Sequence, residues 1–177
     1  MSSPVPEISL RPAVPGDAGA IAHVHRLSRA DYYGEAPAES DDRDAMWSHL
    51  LGQPDRDTYV AEAAGSVVGF MSARQLPGPP VEVELTALYV LPSAYDRGVG
   101  SQLHDLFDRE RPSGAPGVLE VWAGNRRAIG FYLRRGWVPT VTSRPGPQDL
   151  DFTTYRLPAR RTRAPRSPAA SRPRPPR

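Results

Sequence analysis

Hydrophobic and polar residues follow two different periods along this chain, and the two periods alternate in blocks. Apolar residues at every second position predict β-strands, whereas apolar residues every three or four positions predict amphipathic helices. The predicted strands are EISLRPA, DTYVAEA, SVVGFMSARQ, VEVELTALYVL, GVLEVWA, WVPTVTS and DLDFTTYRL. The predicted helical faces lie at Ala18, Ile21, Ala22 and Val24, at Trp47, Leu50 and Leu51, at Val99, Leu103, Leu106 and Phe107, and along NRRAIGFYLRRG. An early β-α-α-β-β-β order and a later β-α-β-α-β-β order indicate an α+β domain, with a mixed α/β arrangement in three layers.

Turn and cap residues set the expected limits of these elements. Asp17 follows a Pro-Gly turn and is a candidate N-cap for the first helix, which we expect to end near Arg29. Residues 30–40, ADYYGEAPAES, are predicted to form an acidic and aromatic loop. A second short helix is predicted from about Asp41, and Ala64-Gly65 predicts a hairpin between two strands.

Composition divides the chain into two parts. Its 177 residues, 39% of them hydrophobic, are enough for one domain with a sizeable core. All 22 basic residues are arginine, and seven of them lie in residues 158–177, which contain no acid and no apolar period. We therefore predict a domain over residues 1–157, followed by a disordered Arg/Pro-rich tail over residues 158–177. The domain has 15 arginines against 20 acidic residues, so its net charge is −5.

Several classes of chemistry are excluded or disfavoured by residue counts. The absence of lysine excludes a P-loop lysine and a lysine Schiff base, and the absence of cysteine excludes disulfides and thiolate chemistry. Four scattered histidines show no metal-ligand spacing, so we expect no metal, and we assign each histidine to the surface or to packing. No apolar run approaches the ~20 residues that span a bilayer, and the first ten residues do not resemble a signal peptide. We expect a cytoplasmic protein with no membrane partner.

A pair of glycines lies between the strongest predicted strand and the following helix. Gly98 and Gly100 flank Val99, and such glycines let an anion approach backbone N–H groups at a helix N-terminus. A phosphate or pyrophosphate fits this arrangement. A dinucleotide fold would need a third glycine at Leu103 and a tighter turn than residues 91–96 allow. The glycines alone are also compatible with an ordinary strand-to-helix loop.

Two segments together resemble a known family. LYVLPSAYDRGVGSQL, followed further along by NRRAIGFYLRRGW, is similar to the GNAT superfamily of acyl-CoA-dependent N-acetyltransferases. The first segment matches the Gln/Arg-x-x-Gly-x-Gly/Ala pyrophosphate loop, with Tyr95 where the family usually has Gln or Arg. The second matches the Asn-x-x-Ala-x-x-x-Tyr helix. The resemblance extends more loosely from Ile8 to Leu157, and it implies a central, mostly antiparallel sheet flanked by helices.

The resemblance implies acetyl-CoA as the cosubstrate and assigns it a binding site. The strand that ends at Val90 would bind the pantetheine arm and the loop before the next helix would bind the pyrophosphate, with Arg97 offsetting the charge of Asp96. The cofactor-binding residues implied are Leu88, Tyr89, Val90, Tyr95, Asp96, Arg97, Gly98, Val99, Gly100, Ser101 and Asn125.

Two residues are candidates for proton transfer. By the resemblance, Tyr132 would give a proton to the departing thiolate, the alternative being a tyrosine of the core. Glu84 would accept the proton of the amine. Glu82 and Glu84 share one strand face by the period of two, and the alternative is that both only line a solvated face while water accepts the proton.

The acceptor is predicted to be a small-molecule or peptide amine. In the resembling family the loop between the first two helices helps wall the acceptor side, and here it is rich in acids. Tyr32, Tyr33 and Glu82 are the candidate substrate-binding residues, and a cationic amine is one hypothesis, against the alternative of a merely solubilising loop. We expect direct transfer in a ternary complex, with a non-catalytic acyl-CoA-binding module as the alternative. Nucleic acid is not expected as a partner, and a homodimer is left open.

Overall fold

The chain folds into a seven-stranded sheet with helices on both faces. A computed structural model describes residues 7–35 and 42–159. Its elements are β1 (Ile8–Pro12), α1 (Ala18–Tyr33), α2 (Arg43–Leu50), β2 (Arg56–Ala63), β3 (Ser66–Leu76), β4 (Glu82–Val90), α3 (Val99–Glu110), β5 (Gly117–Trp122), α4 (Arg126–Arg134), β6 (Val138–Arg144) and β7 (Phe152–Leu157). The predicted order of elements is confirmed, and so are the mixed α/β class and the mostly antiparallel sheet.

The sheet contains one parallel contact, and that contact is short. The strand order is β1-β2-β3-β4-β5-β7-β6, and every neighbouring pair except β4–β5 is antiparallel. β4 pairs with β5 only at Val83–Gly117 and Glu84–Val118, whereas β5 pairs with β7 along its whole length. The two strands therefore separate toward their carboxyl ends.

Two hydrophobic cores cover the two faces of the sheet. Side chains of α3 such as Leu103 and Phe107 pack with Trp137 on one face. On the other face Ile21 of α1, Trp47 of α2 and Phe70 of β3 form a second cluster. Burial of these large apolar side chains, each stabilising by about 1.5–3 kcal/mol, holds the helices against the sheet.

A β-bulge in β4 changes which face each side chain occupies. Ser72 pairs with Ala87 and Ala73 pairs with Leu85, so Thr86 is the extra residue. Leu85 accordingly lies in the α3 core, but Ala87 lies in the α1 core. Because strand side chains otherwise alternate, the bulge brings Glu84 onto the same face as Ala87.

The first helix is longer than predicted. α1 continues to Tyr33 instead of ending near Arg29, so Asp31 and Tyr32 belong to its last turn and not to a loop. It ends at Gly34, whose left-handed backbone (φ 68°) is the usual stop for a helix. Residues 36–41, including the predicted start of the second helix at Asp41, lie outside the described residues, as does the predicted tail from residue 160.

No helix in the described parts of the chain combines the length and the apolar character that crossing a membrane requires.

Candidate functional site

A cavity of about 430 Å³ opens where β4 and β5 separate. It lies between the end of β4, the loop before α3, and the beginning of α4. The structure brings together at this cavity ten of the eleven predicted cofactor-binding residues, all except Arg97, together with Tyr132 and Tyr32. Arg97, Tyr33, Glu82 and Glu84 are not among its lining residues.

The end of β4 offers unpaired backbone groups to the cavity. The N–H of Leu91 donates to the carbonyl of Val68 on the β3 side. Hydrogen-bonded and non-hydrogen-bonded pairs alternate in an antiparallel ladder, so Leu88 and Val90 direct their backbone groups toward the opposite edge. That edge lacks a strand partner here because β5 has moved away. The carbonyl of Val90 accepts a hydrogen bond from Ser28 Oγ of α1 at 2.8 Å, which ties α1 to this edge.

Gly98 shapes the loop that precedes α3. It is the N-cap of the helix and has a left-handed backbone (φ 81°), with no atom within 4 Å of the position where a Cβ would stand. The first N–H groups of α3 have no partner within the helix, and they lie at the positive end of its dipole. The loop is therefore suited to an anion that lies directly against the backbone.

Arg127 of α4 balances the carboxylate in this loop. Its Nη1 donates to Asp96 Oδ1 at 3.1 Å, and its guanidinium lies 4.3 Å from the centre of the Tyr95 ring. The ion pair of Asp96 is therefore made by a residue distant in sequence, and the role assigned to Arg97 from the sequence stays a prediction.

Sequence reasoning missed the arginines of α4 that line the cavity. Arg126, Arg127 and Arg134 all border it. A signal was available, since Arg126 and Arg127 occupy the first turn of a helix, where cations are opposed by the helix dipole and acids are favoured. Cations at such a position suggest that an external anion compensates them.

Asn125 has a structural task in addition to its place at the cavity. Its Oδ1 accepts the N–H of Ala128 at 3.0 Å, so it caps α4. The cap holds the first turn of α4, and thus Arg126 and Arg127, against the cavity.

Tyr95 connects the loop to α1. Its hydroxyl donates to Asp31 Oδ2 at 3.2 Å. Burial, and then the neighbouring charge of Asp31, raise the pKa of Tyr95 to about 12. The hydroxyl therefore remains a hydrogen-bond donor at physiological pH, and it links the two walls of the cavity.

Tyr132 lines the cavity although its side chain is almost fully buried. It is 8% exposed and packs edge-on against Phe131 and Trp137. Burial raises the pKa of its hydroxyl above the ordinary value, and Tyr89 adds to the shift. The hydroxyl therefore retains its proton at neutral pH.

The two glutamates of β4 are held in ion pairs. Glu84 Oε2 accepts from Arg74 Nε at 2.7 Å across the β3–β4 pair, and Glu82 Oε1 accepts from Arg156 Nη1 at 2.6 Å. Both carboxylates are partly exposed. The structure thus does not bring Glu82 or Glu84 to the cavity wall.

The two tyrosines at the end of α1 have different environments. Tyr32 borders the cavity, whereas Tyr33 is buried against the Trp122 ring, with ring centres 4.7 Å apart. The guanidinium of Arg29 lies over the Tyr33 ring, 4.8 Å from its centre. Tyr33 is therefore a packing residue behind the wall that Tyr32 presents.

Three of the acids that could attract a cation have arginine partners. Asp44 pairs with Arg26 at 2.8 Å, in addition to the pairs of Glu82 and Glu84. Asp31 accepts the Tyr95 hydroxyl. Glu39 and Asp41 lie outside the described residues.

Two histidines are packed as neutral rings. His25 Nδ1 accepts from Trp47 Nε1 at 3.1 Å, and burial with three nearby arginines lowers its pKa to about 3. His104 accepts from Trp137 Nε1 at 2.8 Å, and burial lowers its pKa to about 4. His104 lies on α3 beside Phe131 of α4, so it packs between the two helices that carry the matched segments. Among the described residues, no group of three or more acidic or histidine side chains is arranged to hold a metal ion.

Comparison with family models identifies one match. Residues 21–137 match the model described as "Acetyltransferase (GNAT) family". This span begins within α1 and includes the loop before α3 and all of α4. No curated protein sequence matches the chain significantly.

Solved structures of acetyltransferases share this fold over nearly their whole length. An acetyltransferase from Thermus thermophilus is 22% identical, with a TM-score of 0.67, covering 87% of this chain and 98% of its own. The ribosomal-protein-S18-alanine N-acetyltransferase of Escherichia coli is 20% identical, with a TM-score of 0.68, covering 86% and 94%. The PaiA N-acetyltransferase of Thermoplasma acidophilum, solved with coenzyme A, is 16% identical, with a TM-score of 0.57, covering 84% and 98%.

Proposed function

Because the chain belongs to the GNAT family of acetyltransferases, we propose that it transfers an acetyl group from acetyl-CoA directly to an amine in a ternary complex. The observation that supports this most is the cavity at the β4–β5 separation, where an open strand edge adjoins a glycine-capped helix N-terminus. Acetyl-CoA supplies an activated acetyl thioester. The chain supplies groups that bind, orient and exchange protons.

The residues present fit the two polar parts of the cosubstrate. The N–H groups from Gly98 to Ser101, with Arg127 beside them, would hold the pyrophosphate. The edge of β4 that faces away from β3 would hold the pantetheine arm through the backbone groups of Leu88 and the N–H of Val90, whose carbonyl already accepts from Ser28. A donor fixed at this edge also stabilises negative charge that develops on a carbonyl oxygen under attack by an amine.

Tyr132 is the proposed general acid. Its hydroxyl lies at the cavity wall and keeps its proton because burial raises its pKa. A departing thiolate needs one proton, and a buried phenol close to the end of β4 can donate it.

Glu84 remains the proposed general base, acting through water. The bulge at Thr86 places it on the same face of β4 as Ala87, but its carboxylate is bound to Arg74 and does not border the cavity. A proton from the acceptor amine would therefore reach it along a chain of water molecules. Transfer to water alone is the alternative.

The acceptor is proposed to be a small-molecule or peptide amine. The ion pairs of Asp44, Glu82 and Glu84 weaken the hypothesis of a cationic acceptor, because paired carboxylates attract a further cation less strongly. A homodimer is left open.

Transfer to an amine panel tests the proposal. The full chain is incubated with acetyl-CoA and peptides, polyamines, aminoglycosides, amino acids or small amines, and CoA thiol release is measured alongside the mass of the product. We expect at least one amine to gain one acetyl group. Binding of CoA by calorimetry without transfer to any amine would instead support the non-catalytic module.

A further inference from the structure

Arg29 is a half-buried cation beside the proposed acceptor site. It lies on α1 next to Tyr32 and Tyr33, with its guanidinium 4.8 Å from the centre of the Tyr33 ring. Among residues 7–35 and 42–159, no carboxylate forms an ion pair with it. Aromatic rings cover part of a guanidinium, but they do not satisfy its five donors.

The groups around Arg29 add positive charge. Arg26, which pairs with Asp44, and Arg43 of α2 both lie close enough to lower the pKa of His25, after burial, together with Arg29 itself. His25 is neutral, accepts from Trp47 through Nδ1, and has a buried Nε2 without a hydrogen-bond partner in the described part of the chain. Among the described residues, Arg29 therefore lies near further cations, of which Arg26 pairs with Asp44.

The α1 face that carries Arg29 is connected to the cavity through Tyr89. The Tyr89 ring stacks on His25 with centres 4.5 Å apart, and Tyr89 also borders the cavity. Arg29 does not itself border the cavity, but it directly follows Ser28 in α1 and lies one helical turn before Tyr32, and both of these residues do.

We propose that Arg29 binds a carboxylate of the acceptor, so that the acceptor is an amine with a carboxylate close to its amino group, the chemistry of an amino acid. This inference rests on the proposed acetyl transfer. A guanidinium binds a carboxylate through two parallel hydrogen bonds, which fixes orientation as well as charge. A carboxylate held at Arg29 would leave the nearby amine directed toward the end of β4.

The carboxylate takes no part in the bond changes. The amine nitrogen forms a bond to the acetyl carbon, the bond between that carbon and sulfur breaks, the nitrogen loses one proton, and the thiolate gains one. Arg29 is therefore a specificity-determining residue and not an acid or base. A polyamine, in contrast, would place a cation against the Arg29 face and be repelled.

Matched acceptor pairs test the inference on the unaltered protein. Each amino acid in the panel is compared with its carboxamide and with the amine that lacks the carboxylate. We expect kcat/KM to be higher for the amino acid by roughly 10- to 100-fold, the range of a charge-assisted hydrogen bond. Equal rates within the pairs, or polyamines or peptide N-termini as the best acceptors, would overturn the inference.

The second arm uses Arg29→Met, which keeps the length of the side chain and removes its charge. It is expected to lose roughly 10- to 100-fold in kcat/KM for the amino acid, with little change for the decarboxylated amine or in CoA affinity. Arg109→Met, at an exposed position of α3, is the matched control and is expected to change none of these values. Equal losses for both acceptors would overturn the inference.

Arg29→Lys is the control for a folding defect in Arg29→Met, because lysine keeps the positive charge but lacks the two parallel donors of the guanidinium. We expect an intermediate loss, again confined to the carboxylate-bearing acceptor. Failure of the proposed function is distinguishable, since it would appear as absence of CoA binding or of transfer to every amine, whatever residue occupies position 29.

Discussion

At the scale of single residues, Gly98 is the most sensitive position of the proposed cosubstrate site. Gly98→Asp and Gly98→Asn impose the same left-handed strain and nearly the same volume, but only aspartate adds a negative charge against the pyrophosphate. We expect aspartate to weaken CoA binding roughly 100-fold more than asparagine does. Calorimetric titration with CoA measures the difference. Equal affinities of the two variants would show that the pyrophosphate does not bind at this loop.

Tyr132 gives a prediction about kcat and pH. Tyr132→Phe removes only the hydroxyl, so kcat is expected to fall about 100-fold while the KM for acetyl-CoA changes little. The protonated hydroxyl is the active form, and its raised pKa keeps it protonated, so kcat should show no decline from this group up to pH 9. Steady-state kinetics from pH 6 to 9 check both points. An unchanged kcat in the phenylalanine variant would exclude the role.

Glu84 is tested by a pH-dependent comparison. Glu84→Gln should reduce the rate most at low pH, where the amine is most protonated and most needs a base. Glu120→Gln also breaks a carboxylate–arginine pair on a strand, with Arg144, and serves as the control. If the parent and Glu84→Gln have the same dependence of kcat/KM on pH, Glu84 is not the base and the amine proton passes to water.

At the scale of elements, the bulge in β4 decides which side chains meet. Deleting Thr86 would restore regular pairing with β3 and remove the bend that the bulge gives β4 ahead of its open edge, while Leu85 and Ala87, now direct neighbours, would stay on opposite faces. We expect this deletion to abolish CoA binding and to lower the melting temperature sharply. Thr86→Val keeps the bulge but loses hydrogen bonds to Arg56 and Ser72, so it should cost about 1–2 kcal/mol without loss of CoA affinity. Calorimetry and thermal unfolding separate the two variants, and a deletion that still binds CoA would contradict this account of β4.

At the scale of the whole molecule, the Arg/Pro-rich segment is predicted to contribute little to stability. Its composition gives it too little apolar surface to pack, so removal after Ala159 should leave the melting temperature and CoA affinity nearly unchanged. Truncation after Leu157 should lower the melting temperature slightly more, because it removes Pro158, whose carbonyl accepts from the buried Arg111 at 3.3 Å. Thermal unfolding of both truncations is the measurement. A large fall in the melting temperature of the protein truncated after Ala159 would show that residues beyond 159 pack on the domain.

The success of the sequence-based predictions depended on the range of the interactions involved. Strand and helix periods, the Ala64-Gly65 hairpin and the glycine loop before α3 depend on neighbouring residues, and all are present in the structure. The end of α1 was placed too early because Asp31 and the tyrosines resemble a loop, although the stop signal, Gly34, follows them directly. The proposed roles of Tyr132 and Glu84 remain predictions.

The sequence by itself determined the order of the elements and the glycine-containing turn that begins α3, because hydrophobic period and glycine backbone freedom act locally. Only the tertiary structure decided which charges meet. Asp96 is paired with Arg127 from α4, Glu84 is paired with Arg74 across β3, and Arg29 lies among tyrosines with no carboxylate pairing among the described residues. These relations arise from the separation of β4 from β5 and from helix packing on both faces, which bring together residues far apart in the chain and which no local pattern encodes.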